Sequence, residues 1–286
     1  MTVLQWLSDW LALRAADLRP RTVESYGDLI RRYIAPSIGP LTLDQLQPMQ
    51  IRRLLAQICA DGHSRTAELV FVMLKAAFAD FDPCPMHKVK RPAHVQKSPE
   101  PWNDAEIAVY VSAIRGHKHG PALALGIVLG LRRGEICGLR WQDIDFNHGL
   151  IHIVNQRQRM GNGRIVDCPP KSDSSVRVLP APEALLRYQR PFRQLAGYVC
   201  PISPSGLDAA HRRLVHALGL RYIPLHGLRH SMATSCIRHG GSMRSLQALL
   251  GHANYATTAN RYTHPDYEML RNAIDCAAIP CYNVLH

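Results

Sequence analysis

The sequence predicts a mainly α-helical protein with a small antiparallel β-sheet, split into a helical N-terminal domain and an α+β second domain. Three observations carry this. Apolar residues recur at helical spacing through residues 1–82. A proline-punctuated basic stretch then interrupts the pattern over 83–101. Beyond it the period switches from helical to alternating between about 151 and 179, and back again. A chain of 286 residues suits two domains better than one, and 47% hydrophobic content is ample for two cores.

Taken in order, Trp6, Leu7, Trp10 and Leu11 set a helical stripe in the first segment. Thr22 is placed to cap a second helix through Tyr26, Leu29, Ile30 and Tyr33, which ends at Pro36 and Gly39-Pro40. Thr42, with Gln45 three residues on, has the form of a capping box before a third helix running to about Cys59. Ser64 opens a fourth, carrying Leu69, Val70, Met73, Leu74 and Phe78. Residues 83–101 read as an interdomain linker, either an ordinary solvated one or one in which Lys88, Lys90, Arg91 and Lys97 are candidate contacts to a polyanion such as a DNA backbone. The second domain, 102–286, starts near Trp102 with Asn103 or Asp104 as cap, and helices are expected at about 103–116 and 119–130. Ile151-His152-Ile153-Val154 alternates, Gly161-Asn162-Gly163 turns the chain, Ile165-Val166 resumes, and Ser175 to Leu179 closes a small sheet. Helical patterns return from about 182 to 275.

The charge balance points to a polyanionic partner. Lys and Arg exceed Asp and Glu by 12, three of that excess in 1–100 and nine in 101–286. A basic surface neutralises phosphates and releases their condensed counterions, the footprint of nucleic-acid binding. The eight cysteines form no CxxC pair, and several, such as Cys137, lie in apolar runs where a reduced core thiol is expected. No basic n-region with a cleavage site opens the chain, and no apolar run approaches a membrane span. A cytoplasmic, nucleoid-associated protein with no membrane partner is the expectation.

Chemistry-bearing residues cluster in the second domain. Arg132 lies in Gly130-Leu131-Arg132-Arg133-Gly134-Glu135, where a helix is expected to begin; a guanidinium there can set its planar fork on a phosphate. By charge alone Arg133 and Arg140 are equally eligible. Lys171 sits between Pro170 and Ser172 on a turn, from which an ammonium can reach a leaving oxygen, although a lone turn lysine is usually solvent-exposed decoration. His226 and Arg229 stand at i, i+3 on one helix face, with His230 a competitor beside them. His252 follows Leu250-Gly251, in a position where a capping or core histidine is the ordinary explanation. Tyr262 is one of ten tyrosines, with Tyr255 and Tyr267 as near rivals. A phenol is a nucleophile at neutral pH only where cations stabilise its phenolate. Together the set supplies cations to hold a phosphate, imidazoles to move protons and a nucleophile, without ligand spacing for a metal and with no cofactor motif.

This ordered set, with the frames Leu225-His226-Gly227-Leu228-Arg229-His230 and Thr257-Thr258-Ala259-Asn260-Arg261-Tyr262, resembles the tyrosine recombinase (phage integrase) family. The likeness is strong from about 125 to 265 and loose over 1–82, which is similar to the family's SAM-like core-binding domain. It implies that Arg132 and Arg229 hold the scissile phosphate and that Lys171 is the general acid for the leaving 5′-hydroxyl. His226 would assist as acid/base, His252 would hydrogen-bond the phosphate, and Tyr262 would become a 3′-phosphotyrosyl adduct. Leu129 and Ser172 depart from the usual frame, where a small hydroxyl residue and a threonine are common. The chain opens directly at the helical domain, so a two-domain form without an N-terminal arm-binding domain is expected.

The resemblance further implies a double-stranded recombination site as partner, a homotetramer on paired sites, and an accessory DNA-bending or directionality factor. Integration and excision of a mobile element or prophage is the expected role, with Xer-type chromosome dimer resolution as the alternative. A catalytically inactive DNA-binding regulator and a type IB topoisomerase are the competing classes. The apolar tail with Tyr267, Met269, Leu270, Ile274 and Ala277-Ala278-Ile279 is expected to pack against a neighbouring protomer, with docking on its own domain as the alternative.

Overall fold

A computed structural model describes residues 1–94, 99–170, 176–251 and 270–277. The chain divides into two compact units, Met1–Ser98 and Pro99–His286, each with its own apolar core.

In the first unit α1 (Val3–Arg14) starts at a reciprocal cap: the Gln5 N–H donates to Thr2 Oγ1 at 3.2 Å and the Thr2 N–H to Gln5 Oε1 at 2.8 Å. Helix α2 (Pro20–Leu29) opens on Pro20 and not at Thr22, because a proline ring presets the φ of a first helical residue and has no N–H to leave unpaired. It continues through a π-helical turn, Ile30–Ile34. Gln45 reaches back to the Thr42 N–H at 3.3 Å but closes only a 3-10 turn, Leu43–Gln45; α3 (Pro48–Ala60) begins at its own proline. Helix α4 (Ser64–Ala77) follows. Leu7, Ile34, Ile51, Met73, Leu74 and Phe78 form the centre of the core, with Trp6 stacked on Phe78.

Met86 and Val89 also belong to that core. The stretch beginning at residue 83 is therefore not a solvated linker throughout: two apolar side chains three residues apart pin it to the first unit. Lys88 and Lys90 are exposed between and after them, and Lys97 lies outside the described residues.

The second unit is built around α6 (Gly120–Val128), an apolar helix buried along its whole length. Trp102 anchors the unit's start, donating its backbone N–H to Ser231 Oγ and its indole N–H to the Arg221 carbonyl, both at 2.9 Å. Asn103 caps α5 (Asp104–Ile114) in a reciprocal pair with Glu106. After α7 (Arg133–Gly138) come β1 (Ile144–Asp145), β2 (Leu150–Ile153), β3 (Gln156–Arg159), β4 (Ile165–Cys168) and β5 (Arg177–Pro180). They form two antiparallel sheets, β1-β2-β5 and the hairpin β3-β4, where a single sheet was expected. Strand β2 stops at Ile153, and Val154 is exposed, so the ladder breaks before the hairpin.

Helices α8 (Glu183–Gln189), α9 (Pro204–Ala217), α10 (Leu225–Arg238) and α11 (Met243–Leu250) complete the unit, together with a helical stretch over 270–277. Leu270, Ala273, Ile274 and Ala277 fall at i, i+3, i+4 and i+7 and are buried in the core of their own unit, the alternative of the two readings of the tail, while Tyr267, Met269, Ala278 and Ile279 lie outside the described residues. No helix among the described residues is long and apolar enough to cross a membrane.

Candidate active site

The turn between α6 and α7 makes the first part of the site. Gly130 has φ of 62°, a left-handed conformation that glycine adopts without steric cost. A Cβ there would lie 2.2 Å from Met232 Cε and 3.1 Å from Leu250 Cδ2. The turn brings Arg132 to the position just before α7 and aims the Gly130 carbonyl at Arg229 of α10.

Arg229 is buried, and its guanidinium donates to the Gly130 carbonyl at 2.8 Å and to the Leu250 carbonyl at 2.5 Å. Arg132 donates to the next carbonyl, Gly251, at 3.0 Å. Two guanidiniums thus take up successive carbonyls at the end of α11, where a helix leaves its last acceptors unpaired and partly negative. Gly251, at φ 62° and ψ 55°, is the left-handed cap that turns the chain there.

Glu135 lies beneath. Arg132 donates its backbone N–H to Oε2 at 2.9 Å and Nη1 to Oε1 at 2.8 Å. Arg177 of β5 meets the same carboxylate fork to fork, Nη1 to Oε1 at 3.1 Å and Nη2 to Oε2 at 3.0 Å, and donates Nε to the Leu249 carbonyl at 3.0 Å. Burial of Glu135 alone would raise its pKa, but the hydrogen bonds and charge of Arg177, then the hydrogen bonds of Arg132, outweigh it and hold the carboxyl below its ordinary value. The Arg229 pKa is also lowered, to about 9, by burial first and then by the charge of Arg132. It stays cationic at neutral pH, in surroundings that an added anion would improve.

Three guanidiniums around one carboxylate leave a local positive excess, the electrostatic form of an anion site. The three differ in access. Arg132 keeps 33% of its side chain exposed, against 9% for Arg177, while Arg229 as a whole is 3% exposed, so Arg132 is the one open to a ligand. The competing arginines are engaged elsewhere. Arg133 pairs with Asp208 of α9, and Arg140 pairs with Asp167 and lies over the Tyr198 ring.

His226 and His230 are exposed on α10, their rings 4.9 Å apart at 89°. Both border a cleft of about 500 Å3 between α10 and α11 that Arg229 and Leu250 also line. The structure brings Arg132, Arg229 and His226 into one region but does not choose between the two histidines. Lys171, His252 and Tyr262 lie outside the described residues, as do the rival Tyr255 and Tyr267. Among the described residues no group of three or more His, Cys, Asp or Glu is placed to hold a metal ion.

Sequence reasoning used Glu135 and Arg177 only as frame residues. The signal for Glu135 was its spacing, three residues after Arg132 at a helix start; for Arg177 it was a charge on the inward side of an alternating strand. Register pairs Arg177 with Ile153, and Ile151 with Leu179, so a guanidinium shares a face with three buried apolar residues.

The first unit carries a separate basic groove of about 480 Å3, lined in part by Arg52, Lys88, Lys90 and Arg91. Arg52, unforeseen from sequence, donates to the Lys88 carbonyl at 2.9 Å. Arg91 donates Nε to Glu68 at 3.0 Å, and its hydrogen bonds, followed by those of Arg65, lower the Glu68 pKa. Part of the Arg91 charge is thereby answered within the protein, whereas Lys88 and Lys90 stay exposed.

Comparison with solved structures finds the same fold in known integrases. The Tn1549 transposon integrase in complex with circular intermediate DNA superposes with a TM-score of 0.75 at 22% identity, covering 96% of this chain and 99% of that one. A lambda integrase tetramer bound to a Holliday junction gives 0.66 at 17% identity, over 96% and 78% of the two chains. Residues 121–269 match the phage integrase family and residues 2–58 its N-terminal SAM-like domain. The chain belongs to the phage integrase family, the tyrosine recombinases. A XerC-like tyrosine recombinase of Caldanaerobacter subterraneus is 26% identical over 90% of this chain and 77% of its own length. The XerA tyrosine recombinase of Thermococcus onnurineus is 27% identical over 91% and 90%. With XerC of Xylella fastidiosa identity rises to 33%, over 52% of this chain and 49% of that protein.

Proposed function

We propose that this protein is a site-specific recombinase that cuts and rejoins double-stranded DNA through a 3′-phosphotyrosyl intermediate, integrating or excising a mobile element. The observation that carries the reading is the pair Arg132 and Arg229, held on successive carbonyls above a buried carboxylate with one guanidinium left open. Such a site is organised before the anion arrives and reorganises little as charge develops.

In the proposed reaction the Tyr262 phenolate attacks the scissile phosphorus, forming the phosphotyrosyl bond as the bond to the 5′ oxygen breaks. The leaving oxygen takes a proton from Lys171, and His226 assists proton transfer. Arg132 and Arg229 bind the non-bridging oxygens, with His252 as a further donor. Attack by the 5′-hydroxyl of a partner strand reverses these steps. The number of phosphodiester bonds is conserved, so no external energy source is required. Exchange between two duplexes calls for a homotetramer on paired sites, with an accessory factor setting direction. Lys88, Lys90 and Arg91, and Lys97 beyond them, would follow the backbone of the bound duplex.

Tyr262→Phe removes one hydroxyl and leaves charge and ring in place. On a nicked suicide substrate it is expected to bind like the wild type and form no covalent complex, while Arg132→Ala and Arg229→Ala lose about 10²–10³ in cleavage rate. Covalent complexes from Tyr262→Phe at the wild-type level would refute the reading. Near-full-length similarity to XerC-like and XerA recombinases favours a second role, resolution of chromosome dimers. Sequencing the strand joined to the protein in its own host separates the two: an element terminus supports the first role, a single chromosomal site the second.

A further inference from the structure

Arg177 does more for the site than fill a strand position. Its side chain is 9% exposed and its fork is turned onto the two oxygens of Glu135, so it is not presented to a ligand. Through Glu135 it meets the carboxylate that holds both the backbone and the guanidinium of Arg132. Through Nε it meets the Leu249 carbonyl, one residue before the carbonyl bound by Arg229 and two before that bound by Arg132. One guanidinium therefore joins β5, the start of α7 and the end of α11.

Burying an ion pair is weak evidence for stability, because desolvation offsets the attraction and an apolar replacement often does as well. A strand whose inward neighbours are Ile151, Ile153 and Leu179 could take such a replacement in apolar surroundings. What an aliphatic side chain cannot do is fix the two oxygens of Glu135 in direction. Arg132 shares those oxygens, so its orientation depends on the far side of the carboxylate.

We propose that Arg177 is a positioning residue for strand cleavage, orienting Arg132 through Glu135. The inference rests on the phosphate-holding role of Arg132 given above. It predicts a loss in the chemical step with little change in DNA affinity, since a small misplacement of a catalytic group costs about 10²-fold in rate.

The test is single-turnover cleavage of saturating suicide-substrate DNA by Arg177→Ala and Arg177→Lys, each made alone and in an Arg132→Lys background. Thermal midpoint and DNA affinity are measured alongside. Both single variants are expected to cleave about 10²-fold slower than the wild type with affinity essentially retained. Lysine keeps the charge but not the fork, so Arg177→Lys carries the comparison where Arg177→Ala is too unstable to assay. In the Arg132→Lys background, where the fork being oriented is already gone, either change should cost no more than about twofold further. Equal losses in both backgrounds, or wild-type cleavage by Arg177→Lys, would overturn the inference. Wild-type cleavage by Arg132→Lys alone would instead overturn the role of Arg132, and the positioning role with it.

Discussion

Glu135 is the residue on which the site's electrostatics turn, because it is 2% exposed and shared by two arginines. Its folded pKa lies below the ordinary value of 4.5, so the stability it contributes is fully present above that pH. That stability drains away as the pH falls through the lower folded value. Glu135→Gln keeps the shape and removes the charge, leaving two arginines short of a counter-ion at a cost of about 3–5 kcal/mol at neutral pH. The gap in thermal midpoint between wild type and variant should narrow below pH 4.5. A gap independent of pH would mean the carboxylate is not held charged by its partners. Little of this was visible in the sequence. The family frame selects Arg132 from three arginines of equal charge, and only the pairings of Arg133 with Asp208 and Arg140 with Asp167 supply a physical reason.

Elements were more legible than the contacts between them. Asn103 with Glu106 is a local device, satisfied within four residues, and a helix start of that kind can be read from spacing, whereas the cap of Thr2 by Gln5 was not foreseen and the helices expected from Thr22 and Thr42 start instead at Pro20 and Pro48. The sheets were read less well, since whether β2 continues into the hairpin depends on tertiary pairing that alternation does not encode. The close approach of α7 to β3 was likewise hidden. A Cβ on Gly138 would lie 2.6 Å from Gln156 Cα and 2.8 Å from the Asn155 carbonyl oxygen, both rigid backbone. Gly138→Ala should therefore destabilise the second unit by about 1–3 kcal/mol. Gly134→Ala, whose nearest neighbour would be 3.3 Å away, should be milder. Equal unfolding midpoints for the two would show that α7 does not pack on β3 this tightly. Truncation before Leu270 should also lower the midpoint, because Leu270 and Ile274 are buried in that core and each contributes about 1.5–3 kcal/mol. A truncated protein as stable as the full chain would restore the expectation of a tail that docks elsewhere.

At the scale of the whole molecule, two separate cores and the basic groove of the first unit lead to the expectation, under the proposed function, that both units contact DNA. Affinity should fall linearly with salt on a log–log plot, each phosphate contact adding about −0.9 to the slope. Removing residues 1–98 should make that slope shallower while leaving a cooperatively folding fragment. An unchanged slope would assign the phosphate contacts to the second unit alone. The domain count was legible because it rests on composition and on a break in period, whereas the linker's attachment to the first core depended on Met86 and Val89. Strand cleavage by a tyrosine is tested by trapping the covalent complex on a nicked substrate, digesting it, and mapping the DNA-linked peptide. A single adduct is expected on Tyr262, on the 3′ end of the cut strand, with a free 5′-hydroxyl opposite. An adduct on Tyr255, Tyr267 or any other side chain, or a 5′ linkage, would contradict that expectation.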